Sequence, residues 1–181
     1  MIKKNCVICN SPDAKIMLPN GVYCFKHYYV LFEKKFRKAL RQSSVDPKGV
    51  CRIADDGTFK PHLVVYMLKK VTNGYCKPEI SFVHKKCNIS CEDMDDLSYG
   101  ILEEFFKNKD SNLLLANFMP FADVSKTNLD LISKDLNLQG ELKKPKDDIY
   151  KELVEFEKKY PGTNNSLVKS HIFLHKRNDF E

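Results

Sequence analysis

The sequence predicts an α/β fold: a parallel sheet with helices, preceded by an N-terminal zinc knuckle and one helix. Three observations carry this. Cys6, Cys9, Cys24 and His27 stand near the start as C-x2-C-x14-C-x2-H, a spacing of metal ligands. From residue 49 onward short apolar strand signals alternate with helical patterns, which implies parallel pairing through crossover helices. The composition is that of a packed domain, with 43% hydrophobic and 30% charged residues in a chain of 181. That length suits one ordinary domain or one domain with a small appendage.

The elements follow in order. Residues 1–46 form the first unit, a zinc knuckle and a basic amphipathic helix. Cys6-Val7-Ile8-Cys9 opens it, Pro19-Asn20-Gly21 makes a turn, and Cys24-Phe25-Lys26-His27 closes it. No Gly or Pro interrupts residues 28–41, where Tyr29, Phe32, Phe36, Ala39 and Leu40 fall within a sector of ~100° on a helical wheel. Lys34, Lys35, Arg37, Lys38 and Arg41 occupy the other side. The run Ser43-Ser44-Val45-Asp46-Pro47 reads as a linker to the second unit, residues 47–181. There the pattern predicts a strand over 49–54, a loop at 55–58 and a helix over 60–71. A second strand follows over 79–84 and a helix over 94–107, then a third strand over 112–117 and a helix over 122–136. A long helix over 147–160 and a closing strand over 166–174 complete the chain. In such a sheet ligands bind beyond the C-terminal strand ends, which directs attention to the loop at 55–58.

Charge and targeting signals narrow the function. With 30 Lys and Arg against 24 Asp and Glu the net charge is +6, and the pI near 8.8 permits a nucleic-acid partner without demanding one. No apolar run is long enough for a membrane span, and Met1-Ile2-Lys3-Lys4-Asn5-Cys6 lacks the apolar stretch of a secretory signal. A cytoplasmic protein without a membrane partner is expected. In that setting the 7 cysteines point to metal ligation rather than to a disulfide framework.

Zinc accepts three thiolates and one imidazole without redox chemistry, and two close ligand pairs joined by a short loop wrap a tetrahedral ion. Four protein ligands leave no open position, so the expected Zn2+ on Cys6, Cys9, Cys24 and His27 is structural; such an ion supplies ~10 kcal/mol of apparent folding energy. Lys34, Lys35, Arg37, Lys38 and Arg41 form the candidate RNA-binding face, each able to meet a phosphate. Within that helix only Glu33 interleaves an acid, and a solvated helix face is the other reading. The loop Asp55-Asp56-Gly57-Thr58 has one glycine where a phosphate-binding loop needs several, and its carboxylates repel a triphosphate unless they hold magnesium. It reads as an inert turn with no nucleotide site. His84, Cys87 and Cys91 lack a fourth ligand at useful spacing. His171 and His175 stand at i, i+4 without the intervening Glu of a zinc peptidase. No catalytic residue is expected.

The opening resembles the cytosolic tRNA wobble-uridine thiolation proteins, on its knuckle, on Tyr23-Cys24-Phe25 and on Phe32-Glu33-x-x-Phe36-Arg37. Lys35-Phe36-Arg37-x-x-Leu40 is more similar to the second, non-catalytic subunit than to the catalytic one. Residues 49–71 fall where that family has its first strand, loop and helix. Leu113-Leu114-Leu115-Ala116-Asn117 resembles a later strand, and Tyr160-Pro161-Gly162-Thr163 through Val168 resembles a segment after the second subunit's long helix. The resemblance implies a reduced, Rossmann-like PP-loop domain in a chain short for the family. It also exposes departures. The ATP signature Ser-Gly-Gly-x-Asp-Ser is replaced around 55–58, paired aspartates are missing around Phe118-Met119-Pro120-Phe121, and His27 stands where the family more often has cysteine. What the resemblance implies is a pseudoenzyme: a non-catalytic subunit of the U34 2-thiolation complex. It would bind tRNA, pair with a catalytic subunit as a heterodimer, and meet a ubiquitin-like sulfur carrier through the complex. An active ATP-dependent tRNA-thiolating enzyme and a zinc-dependent protein-interaction module without an RNA role stand as alternatives.

Overall fold

The computed structural model describes residues 5–18, 20–83, 87–107, 118–142, 145 and 147–178, with side chains to residue 172 of the last helix. The knuckle is a hairpin of β1 (Ile16–Leu18) and β2 (Gly21–Tyr23), antiparallel with Ile16 opposite Tyr23. Gly21 is required there: its φ is +139°, and a Cβ would meet Val7 Cγ1 at 2.5 Å. The Val7 N–H donates to the Val22 carbonyl at 2.9 Å, which lays the Cys6–Cys9 turn against β2.

Helix α1 (Phe25–Gln42) buries Tyr28, Phe32, Phe36 and Leu40, a four-residue repeat that makes one apolar stripe. That stripe lies on Phe118 and Phe121. The Phe36 and Phe118 rings meet edge-on at 5.3 Å, and Phe32 stacks on Phe121 at 6.1 Å. Each such pair adds about 0.5–1.5 kcal/mol beyond the area it buries. The helix that carries the basic face therefore shares the main core with the sheet.

Strand β3 (Val50–Ala54), α2 (Lys60–Val71) and β4 (Lys77–Ser81) form a strand–helix–strand unit whose strands are parallel, Ile53 beside Ile80. Pro61 sits in the first turn of α2, where its missing N–H costs nothing. On the other side of β3 the parallel ladder continues as isolated bridges, from Ile53 to Ile89 and from Ile89 to Phe118. Leu63, Val64, Met67 and Leu68 of α2 close over Cys51 and Ile53, all fully buried.

Helix α3 (Met94–Lys107) is capped by Asp93, whose Oδ1 accepts the Asp95 and Asp96 N–H groups at 3.0 and 2.9 Å. Ser125 caps α4 (Lys126–Asp135) and Asp147 caps α5 (Asp148–Lys159). The chain ends its described course in α6 (Thr163–Asn178). Met94, Leu97 and Val168 join α3 to α6 in a smaller cluster with Ile172 beside it.

The mixed α/β class with a small parallel sheet stands, and several boundaries move. The closing strand expected over 166–174 is helical. The Glu157 carboxylate accepts the Gly162 and Asn164 N–H groups at 2.8 and 2.9 Å and so starts α6. Val168 and Ile172 are then one helical turn apart, both facing α3. The helix expected from 122 begins at Lys126, because Phe118 and Phe121 are drawn into the sheet ladder by bridges to Ile89 and Asp93. The second strand lies at 77–81 rather than 79–84. The third strand expected at 112–117 lies outside the described residues, as do Pro19 and His84. Among the described residues no helix is long and apolar enough to cross a membrane.

Candidate functional site

The knuckle gathers four donor atoms. Cys6 and Cys9 sit on a tight reversal, closed by the Asn10 N–H on the Cys6 carbonyl at 2.8 Å with Asn10 in the left-handed region (φ 59°). Cys24 is the N-cap residue of α1 and His27 lies three residues on, so both side chains reach the same point over the helix start. Cys24 Sγ stands 3.2 Å from His27 Nδ1, Cys6 Sγ 3.6 Å from the same nitrogen, and Cys9 Sγ 3.8 Å from Cys24 Sγ. All four donors lie within 4.8 Å of one another. A single tetrahedral ion with metal–sulfur bonds near 2.3 Å and a metal–nitrogen bond near 2.0 Å needs ligand-to-ligand edges of about 3.5–3.8 Å. The group could hold a metal ion once its donors shift by about 1 Å or less. Burial alone would raise the Cys6 thiol, but hydrogen bonds from the backbone of Cys24, Cys9 and Ile8 bring it down to about 6, toward the thiolate that a metal takes.

The loop after β3 is occupied by its own side chains. Asp55 Oδ1 accepts the Gly57 N–H at 2.7 Å. Asp56 Oδ1 accepts the Thr58 N–H at 2.9 Å and the Thr58 hydroxyl at 2.7 Å, while Thr58 Oγ1 accepts the Lys60 N–H at 3.1 Å. These strand-end and helix-start N–H groups are the ones a phosphate would use. The segment around Gly140 lies directly on the loop: its φ is +121°, and a Cβ there would come within 2.9 Å of the Phe59 nitrogen.

Behind the loop lies a buried ionic network that the sequence reading missed. Lys60 Nζ stands 2.6 Å from Asp96, 3.0 Å from Asp56 and 3.4 Å from Asp93, and Lys126 Nζ bonds the other oxygen of Asp96. The Lys60 and Lys126 side chains are 5% and 4% exposed and that of Asp93 is 0%. Burial, then the neighbouring Asp96, pushes the Asp93 carboxyl up to about 7. Burial would raise Asp96 as well, but Lys60 and Lys126 outweigh it and pull that carboxyl down to about 2. Burial works against the Lys60 ammonium, and Asp93, Asp96 and Asp56 more than offset it. Two signals were present in the sequence. Lys60 stands at a helix N-terminus, where a cation is disfavoured unless paired, and Asp93 begins an Asp-x-x-Asp start to the 94–107 helix. Nothing in the sequence marked Lys126.

The cationic face of α1 divides in two. Arg37 donates to Glu33 Oε1 from Nε and Nη2, at 3.1 and 2.8 Å, and from Nη1 to the Val71 carbonyl at 3.2 Å, so it ties α1 to the end of α2. Lys35 pairs with Asp123 at 2.7 Å. Lys34, Lys38 and Arg41 are exposed, stand at i, i+4 and i+7, and pair with no described acid. The remaining cysteines lie apart from the knuckle. Cys51 and Cys76 are buried with their sulfurs 2.9 Å apart, and burial pushes the Cys76 thiol up to about 12. Cys87 donates to the Val83 carbonyl at 3.4 Å, and burial raises the Cys91 thiol well above its ordinary value.

No protein-family model matches the chain, and no curated protein matches it in sequence. Solved structures do match. The U34-tRNA thiolase NcsA from Methanococcus maripaludis, solved with its [4Fe-4S] cluster, superposes with a TM-score of 0.71 over 96% of this chain and 88% of that one, at 14% sequence identity. At that identity the likeness is one of fold alone.

Proposed function

We propose that this protein is a non-catalytic subunit of the cytoplasmic tRNA U34 2-thiolation machinery, supporting tRNA binding while a partner subunit transfers sulfur. The observation that carries the reading is a thiolase-like fold whose strand-end loop is filled from within. An ATP-using member of this fold needs free N–H donors at that loop to receive phosphates. Here Asp55, Asp56 and Thr58 take those donors, and the Lys60 ammonium, which could otherwise meet a phosphate, is held by Asp56, Asp93 and Asp96. Asp55 and Asp56 add repulsion against a triphosphate. The chain is thereby suited to a structural rather than a catalytic place in the complex.

Cys6, Cys9, Cys24 and His27 would hold a structural Zn2+. Their donor separations suit one ion; a four-iron cluster, with each thiolate on a different iron, calls for wider spacing. Zinc at this point fixes the start of α1 and hence the direction in which Lys34, Lys38 and Arg41 face tRNA phosphates. The catalytic partner forms a heterodimer with this chain and receives sulfur from the ubiquitin-like carrier.

The experiment is depletion of the protein in its own cells, followed by mass spectrometry of tRNA hydrolysates. Loss of 2-thiolated wobble uridine, with other modified nucleosides intact, is expected. An unchanged level would overturn the reading. ATP–pyrophosphate exchange by the purified chain would instead make it an active thiolating enzyme. A partner complex that survives nuclease and high salt without tRNA would make it an interaction module.

A further inference from the structure

We propose that the basic stripe of α1 ends in a pocket for one unstacked nucleotide of a single-stranded RNA segment, an inference that rests on the tRNA reading above and names a recognition site within it. A cavity of about 510 Å³ opens between the C-terminal ends of α1 and α2 and the segment leading into β3. Its walls include Arg37, Arg41, Lys48, Val45, Val71 and Tyr75, and no carboxylate lines it. The volume falls in the range of ligand pockets, about 300–1,000 Å³.

Each wall supplies a different part of what a nucleotide needs. Tyr75 is 73% exposed at the edge of the cavity, and its ring stacks on no described ring or cation. Val45, by contrast, is buried and gives the cavity an apolar floor. An exposed tyrosine beside an apolar floor is a platform for a base, since every base has a stacking face. Arg41 and Lys48 are exposed and unpaired with any described acid, so both charges remain for phosphates. Arg41 also belongs to the Lys34–Lys38–Arg41 stripe, which makes the cavity continuous with the proposed backbone track.

The opposing charges are smaller. The C-terminal ends of α1 and α2 face this region with about half a negative charge each. Some of their carbonyls are already satisfied: Arg37 donates to Val71, the Ser43 hydroxyl to Leu40 and the Thr72 hydroxyl to Leu68. Glu33 offsets Arg37. The acid on the adjoining loop, Asp46, accepts the Lys48 N–H at 2.9 Å and is not among the lining residues. Two full positive charges therefore meet two screened helix ends.

The test is fluorescence anisotropy on the purified full chain with two probes, a labelled oligouridine strand and a blunt RNA duplex of equal length. Tyr75→Ala is expected to weaken strand binding about tenfold and to leave duplex binding unchanged, while Tyr75→Phe retains both. Arg41→Gln and Lys48→Gln are expected to weaken both probes and each lower the salt slope by about one. All three positions are exposed, and circular dichroism checks that the four variants keep their fold. Strand binding by Tyr75→Ala equal to the parent chain would overturn the pocket and leave the tRNA reading standing. Binding of neither probe by the parent chain would overturn the pocket as well; persistence of wobble thiolation in depleted cells separately overturns the tRNA reading.

Discussion

Lys60 stands in the first turn of α2, where the helix dipole disfavours a cation, and three carboxylates from two loops and α3 hold it there. Removing an ion that partners buried charges leaves those charges uncompensated. Lys60→Met is therefore expected to cost about 3–5 kcal/mol, measured by urea unfolding; a loss below 1 kcal/mol would show that the network is solvated. Asp93 gives a pH signature. Its carboxyl is raised from the ordinary 3.8 to about 7, so between those values the folded chain keeps a proton that the unfolded chain has released. Its contribution to stability is present below pH 4 and lost as pH rises toward 7, with a slope of up to about 1.4 kcal/mol per pH unit. Asp93→Asn keeps the cap on Asp95 and Asp96 and removes the titration. The variant is expected to show a flatter stability profile between pH 4 and 7, read by urea unfolding at each pH. An unchanged profile would exclude Asp93 as the group responsible. The sequence hinted at Lys60 and Asp93 singly but not at their meeting, because Lys60, Asp93 and Lys126 come together only once three helices are packed.

At the scale of elements, the knuckle and α1 form one device. Cys24 is the N-cap residue of α1, yet its side chain caps no N–H, because the thiol points to the ligand group. An ion held there would supply the helix start with what a serine or aspartate supplies elsewhere. The same helix carries Phe32 and Phe36 into the main core, so loss of the ion is expected to spread beyond the knuckle. Cys6→Ser with Cys9→Ser, or treatment with a strong chelator, should lower the thermal unfolding temperature and expose α1 to proteolysis. Retained stability after chelation would argue against a structural ion. This device was legible early: ligand spacing and an uninterrupted apolar stripe are both short-range patterns. The end of the chain was not, because Val168 and Ile172 fit either period until Glu157 supplies the helix cap.

For the whole molecule the question is where a net charge of +6 is offered. Ion pairs leave that excess unchanged and decide only which cations are offered. Lys60 and Lys126 are buried in pairs, Arg37 and Lys70 share Glu33, and Lys35 holds Asp123. What remains on α1 is Lys26 near its start and the stripe of Lys34, Lys38 and Arg41. Replacing these three by Glu is expected to leave folding stability within about 0.5 kcal/mol, since exposed charges contribute little to it. It should weaken tRNA binding steeply, with the salt slope smaller by about three. Filter binding across a salt series measures both, and unchanged affinity at low salt would remove the stripe from the interface.

Local pattern was enough for the gathering of Cys6, Cys9, Cys24 and His27, the amphipathic α1, and the β3–α2–β4 unit with its parallel strands. Each depends on residues a few positions apart or on one periodicity, and those are written directly in the chain. The single glycine and paired aspartates at 55–58 likewise marked a loop that is not glycine-rich. Tertiary packing decided the rest. It chose which cations of α1 stay free, turned Asp55 and Asp56 onto their own backbone, and brought Lys60, Asp93, Asp96 and Lys126 together out of water. Coulomb energies vary with distance and with the surrounding dielectric, and both are set only when segments separated by 30 residues or more in sequence are packed against one another.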